Sequence, residues 1–369
     1  MKWTGSTISL LLLGWLAACT NVPAFSMNTA PTAAPAQAAK TLHIYSREPA
    51  LDPATLANFE SRFEIKINYA TAAEDESGLA DIEAGLADYD LVILSDRQVG
   101  SLRAEGLFAP LNKENIPNFK NIDPAFLNPL FDPGNRYCVP FQWGMWSLGY
   151  NPESTGKDIR GWTDFFKTNR LLRLGLPDDN RLALGATLLY LGYSPNTTND
   201  LEIGAASELW RNHAAPTVIY APAQEPNLLA DGQVDLLFTR TASVLALMNT
   251  HPTLRYVIPE EGSLLWLDTM CLLAEAPHPA LAETFINYLL EPEAGAALAN
   301  ATHASTPNQA ALPLLNSADR ANPALYPDDK LRQRLFTLVN VDPATAELYE
   351  QAWTESVVSH NSQAAPGSN

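Results

Sequence analysis

The chain carries few reactive groups. It has three cysteines in 369 residues, and its six histidines (His43, His213, His251, His278, His303, His360) are widely scattered. Neither an HExxH pattern nor a Cys/His cluster occurs, so no metal site is expected. A GxSxG elbow is missing, and Ser154-Thr155-Gly156-Lys157 lacks the upstream glycine of a phosphate loop. Asp/Glu pairs are too common to mark a glycosidase, and their ordinary fate is a solvated face. Cations are scarce: Lys and Arg number 23 against 41 Asp and Glu, a net charge of -18. Nothing concentrates positive charge on one face, which excludes nucleic-acid backbones as partners. Beyond the N-terminus no apolar run approaches the length of a membrane helix. No cofactor is expected, and no nucleophile beside a base stands out.

The N-terminus holds the most informative stretch. Lys2 precedes an apolar run over 8–15, which ends in Leu16-Ala17-Ala18-Cys19. A charged start, an apolar middle too short for a bilayer and small residues at the cut make a signal peptide. With cysteine directly after the cut, the stretch resembles a bacterial lipoprotein signal. It implies that residues 1–18 are removed and that Cys19 is lipidated, since more than one acyl chain gives stable attachment. A secretory peptide that happens to precede a cysteine is the alternative. Residues 20–40 are rich in Ala, Pro, Thr and Asn, show no apolar periodicity, and complete a tether at 19–40. Cys138 and Cys271 remain as a candidate pair in an oxidising compartment, and spacing leaves open a bridge or two buried thiols.

The remaining chain, about 325 residues, exceeds what one core usually serves, so two domains are expected. Strands at 41–45, 65–69, 90–94, 172–176, 236–238 and 264–267 alternate with helices at 76–85, 99–105, 182–190, 280–290 and 293–299. Asp52-Pro53 starts a further helix with a cap and a proline at its first position. This alternation predicts an α/β protein. Three strands end alike, in Ser46-Arg47, Ser95-Asp96-Arg97 and Thr239-Arg240, and Asp178-Asp179 and Trp266 with Asp268 hold comparable places. In open α/β sheets ligands bind beyond the carboxyl ends of strands, which makes these residues pocket candidates. Ser, Thr and Asp at such turns also serve as helix caps, with Arg a solvated bystander.

From residue 41 almost to the C-terminus the chain resembles the extracellular solute-binding proteins of spermidine/putrescine import systems. The resemblance rests on YDLVILS, EGLFAPLNKENIPNFKNIDPAFLNPLFDPGNRYCVPFQWG, SLGYN, GYSPNTTN, EEGSLLWLDT, NYLLEP, STPN and ALYPDD, which agree in order and spacing. It implies a type II periplasmic-binding-protein fold: two discontinuous α/β lobes joined by a hinge, with the ligand cleft between them. Lobe 1 is expected at 41–147 plus 265–313, lobe 2 at 148–264 plus 314–358, and a disordered tail at 359–369. Such proteins trap a solute by hinge closure and pass it to a membrane permease driven by an ATPase. The expected protein is then a non-enzymatic monomer at the cell envelope, lipid-anchored, in the periplasm. A receptor-like lipoprotein presenting its solute to a signalling partner is the alternative.

The resemblance also implies a site. Polyamine binders surround the methylenes with aromatic rings and hold the ammonium groups with carboxylates. Ser95, Asp179, Trp266 and Asp268 keep the expected residues. Arg47, Arg97 and Arg240 stand where the family has aromatic rings, as do Ala50 and Ala304, and Leu182 replaces a carboxylate. Fixed cations at Arg47, Arg97 and Arg240 would oppose a diamine and suit an anion or a zwitterion, because guanidinium grips acid groups in bidentate fashion. Trp143, Trp146, Trp162 and Phe166 are expected as core or hinge packing.

Overall fold

The computed structural model describes residues 40–46, 49–72, 78–85, 88–167, 172–212, 217–221 and 226–364. Cys19, the tether and Arg47 lie outside the described residues. Ten strands run in chain order as β1 (Thr41–Ser46), β2 (Lys66–Thr71), β3 (Leu91–Ser95), β4 (Cys138–Tyr150), β5 (Arg173–Pro177), β6 (Thr217–Ala221), β7 (Leu236–Arg240), β8 (Arg255–Val257), β9 (Ser263–Leu272) and β10 (Leu335–Thr337). Their order is β2-β1-β3-β9-β4-β7-β5-β6, with β10 beside β9 and β8 beside β4. β1 pairs in parallel with β2 and β3, and β5 in parallel with β6 and β7. The two parallel halves meet through antiparallel β9 and β4.

β4 changes partner along its length. Residues from Cys138 to Met145 face β9, whereas Trp146 to Tyr150 face β7. Each half carries its own core. Leu42, Ile44, Leu91, Val139, Met270, Phe285 and Ile286 belong to one, and Trp146, Leu148, Leu174, Leu184, Trp210 and Phe238 to the other. Burying one such side chain contributes about 1.5–3 kcal/mol, so two cores of this size make two lobes. Cys138 and Cys271 face each other across β4 and β9, with Cα atoms 4.1 Å apart, and are joined as a disulfide.

Local signals act as the sequence suggests where they are strong. Asp52 caps helix Pro53–Phe63, its Oδ1 accepting from the Ala54 and Thr55 amides at 2.9 and 3.2 Å. Asp179 caps helix Asn180–Leu191, which ends at Gly192 with φ 81°. Two features differ from the sequence expectation. β4 was not anticipated as a strand, because all 13 of its residues are buried and no alternation marks it. The last helix, Pro343–Ala364, runs through residues 359–364, where the sequence suggests a disordered tail.

Candidate functional site

The strand ends converge. Ser95 on β3 stands opposite Asp268 on β9, and Asp268 stands opposite Gln142 on β4. Two residues along β9, Trp266 faces Gly144. A Cβ on Gly144 would lie 2.6 Å from the Trp266 ring, so only glycine admits the indole there. Ser95 is the N-cap of helix Asp96–Ala104; its hydroxyl and its amide both donate to Gln98 Oε1, at 3.0 and 3.1 Å. Of its two sequence readings, the cap is therefore the one that the geometry displays.

The two described arginines do not reach for open space. Arg97 forks onto Asp179, with Nη1 donating to Oδ1 at 3.1 Å and Nη2 to Oδ2. Burial raises the Asp179 carboxyl, but the charge and hydrogen bonds of Arg97 outweigh it and hold the group below its usual range. Arg240 donates from Nη1 to Asp268 Oδ2 at 3.1 Å and lies over Trp266, 4.1 Å from the ring centroid. Burial pushes Asp268 upward, more than Arg240 pulls it down. The sequence expectation had the arginines gripping an acid group and the aspartates an ammonium. Instead the four groups are engaged with one another, because unpaired charges cost far more to desolvate than paired ones.

The remaining expected positions are apolar fill. Ala50, Leu182 and Ala304 are all buried, the last two in the core that contains Trp266. Trp146, Trp162 and Phe166 pack in that core as expected.

Beside Trp266 lies a cavity of about 640 Å³, lined mainly by apolar side chains that include Phe126, Trp143, Leu267 and Leu338. Its wall also holds Asp96, the middle residue of the Ser95-Asp96-Arg97 strand end. Asp96 Oδ1 accepts from the Arg97 amide at 3.0 Å, whereas Oδ2 is buried without a partner. Burial pushes this carboxyl up to about 7; Arg97 and Arg240 oppose the shift and Asp268 adds to it. Asp96, Gly100 and Arg103 line the cavity from one helix face, a spacing of four and three that was readable in the sequence. Trp143, expected as packing, is buried against Phe126 and also lines the cavity. Among the described residues no group of three or more His, Cys, Asp or Glu side chains is arranged to hold a metal ion.

Known proteins share this architecture. Residues 54–327 match the family model described as bacterial extracellular solute-binding protein. The chain is 33% identical over 290 residues to a spermidine/putrescine-binding periplasmic protein of Salmonella typhimurium, covering 78% of this chain and 83% of that one. It is 30% identical over 336 residues to a putrescine-binding periplasmic protein of Escherichia coli, covering 86% and 91%. The solved spermidine/putrescine ABC transporter substrate-binding protein of Streptococcus pneumoniae superposes with a TM-score of 0.78 at 27% identity, over 87% of this chain and 99% of that one. A fold in two halves, a cluster of strand ends between them and a family match across most of the chain agree: this protein belongs to the bacterial extracellular solute-binding proteins.

Proposed function

We propose that the mature chain is the solute-capturing component of an ABC importer and that its solute is a small organic amine. In this reading it is not an enzyme. It is a periplasmic monomer held to a membrane through lipidated Cys19, and it delivers its solute to a permease and its ATPase. The lobes comprise 41–147 plus 265–313 and 148–264 plus 314–358, with Trp266, Asp268, Arg97, Arg240 and Asp179 in the cleft.

One observation carries the choice of an amine. Asp179 and Asp268 are engaged by the guanidinium groups of Arg97 and Arg240, whereas Asp96 accepts from the Arg97 amide. That leaves the carboxyl of Asp96, in the cavity wall beside Trp266, as the group open to an ammonium, although Arg103 and Arg332 line the same cavity. An ammonium 4 Å from one carboxylate gains about 4 kcal/mol at an effective dielectric of 20, and an acid group there loses as much. Relatives whose names specify putrescine or spermidine point to the same chemistry.

Titration calorimetry of the chain with aliphatic and aromatic amines beside dicarboxylates tests the proposal. Heat of binding from an amine and none from succinate or glutarate is expected. Binding of the dicarboxylates with silence from every amine would overturn it.

A further inference from the structure

We propose that Asp96 anchors the ammonium of a solute with a single amino group and an apolar body bulkier than the methylene chain of a diamine. This rests on the amine reading above and narrows it.

The cavity beside Trp266 is the first reason. At about 640 Å³ it is within the range that holds whole small molecules, and its walls are largely ring and aliphatic carbon. A slender diamine would leave most of that volume empty, and voids forfeit contact energy. Asp96 is the second reason. It is 5% exposed, Oδ1 is occupied by the Arg97 amide, and Oδ2 is buried with nothing to accept from. Buried acceptors in native proteins are nearly always satisfied, and a rotation of the Asp96 side chain toward the cavity that it lines would bring Oδ2 within reach of a donor. Trp143 and Trp266, in the same wall, also have buried indole N–H groups without acceptors.

The third reason is what a second ammonium would meet. Asp179 and Asp268 are engaged by Arg97 and Arg240. Arg240 itself lies on the Trp266 ring, as a bound cation would. A diamine must therefore displace a guanidinium from its carboxylate, whereas a monoamine needs only Asp96. Arg103 and the exposed Arg332 also line the cavity and would favour an acid group on the solute; the test includes that possibility.

The experiment is calorimetry on the detergent-solubilised chain with phenethylamine, tyramine, putrescine, phenylalanine and phenylpropionate. The same series is run on Asp96→Asn and on Leu338→Trp, which adds bulk to another lining residue of the cavity, with the thermal midpoint as a check on folding. The arylamines are expected to bind at least about tenfold tighter than putrescine, and Asp96→Asn to weaken them at least about thirtyfold. Leu338→Trp should abolish them. Arylamine binding unchanged by Asp96→Asn would overturn the anchor and leave the amine reading intact, as would putrescine binding tighter than either arylamine. Tightest binding of phenylalanine would overturn the single-charge assignment. Binding of phenylpropionate alone would overturn this inference and the amine reading together.

Discussion

Asp96→Asn should make the empty protein more stable, by an amount set by pH. The carboxyl titrates near 3.8 in the unfolded chain and is pushed up to about 7 in the fold. The folded state thus holds the proton more tightly. Below about pH 4 both states are protonated and burial costs no ionisation energy. From there to about pH 7 the unfolded chain loses the proton and the folded one does not, so stability falls as pH rises. Three units at 1.36 kcal/mol each give a loss of about 4 kcal/mol as an upper bound. Arg97 and Arg240, which oppose the shift, and Asp268, which adds to it, are already counted in that value. Asparagine never ionises, and its Oδ1 still accepts from the Arg97 amide. Its one loss is an acidic side chain in the first turn of helix Asp96–Ala104, about 0.3–1 kcal/mol. Thermal unfolding of wild type and Asp96→Asn at pH 4.5 and pH 8 measures the difference. Near-equal midpoints are expected at pH 4.5, and a variant higher by a few degrees at pH 8, at about 2 °C per kcal/mol. An equal shift at both pH values, or a variant less stable at pH 8, would refute the reasoning.

The other predictions concern packing, pairing and attachment. Gly144→Ala forces a methyl group against the Trp266 ring, and equilibrium unfolding should show a loss of about 1–3 kcal/mol; an unchanged midpoint would mean that the indole moves freely. Arg240→Ala leaves Asp268 buried alone and should cost about 3–5 kcal/mol at neutral pH, while putrescine affinity rises because a carboxylate is released. Arg97→Ala, at a pair whose side chains are 28% and 26% exposed, should cost about 1 kcal/mol or less. Cys19→Ala should move the protein out of the membrane fraction, and an unaltered fraction would defeat the lipid anchor.

Much of the fold was legible because local signals and burial agreed. The run at Leu91–Ser95 is buried and apolar, and Asp52-Pro53 marks a helix start that the backbone adopts. β4 was hidden because burial on both faces erases the period-two pattern, and Pro140, Gly144 and Gly149 imitate loop composition. The site was legible in position and less so in state. Strand ends pointed to Ser95, Arg97, Asp179, Arg240, Trp266 and Asp268, and the fold sets Ser95 opposite Asp268, Arg97 on Asp179, and Arg240 on Asp268 and Trp266. Sequence spacing cannot say that Arg97 meets Asp179, 82 residues away, or that Arg240 meets Asp268. Those pairings weaken the charge argument, because a carboxylate beside a guanidinium offsets much of its field. Asp96 stood out in sequence only as a member of the Ser95-Asp96-Arg97 strand end, because an aspartate there reads as a cap, and only the tertiary fold shows one of its oxygens buried and unserved.

The central claim is that this cleft takes an amine. Gentle detergent extraction of the chain from its own envelope, followed by native mass spectrometry and release of whatever remains bound, tests it most directly. A bound solute with one basic nitrogen and an apolar body, lost from Asp96→Asn, is expected. A carboxylic acid or other anion, retained in Asp96→Asn, would contradict it.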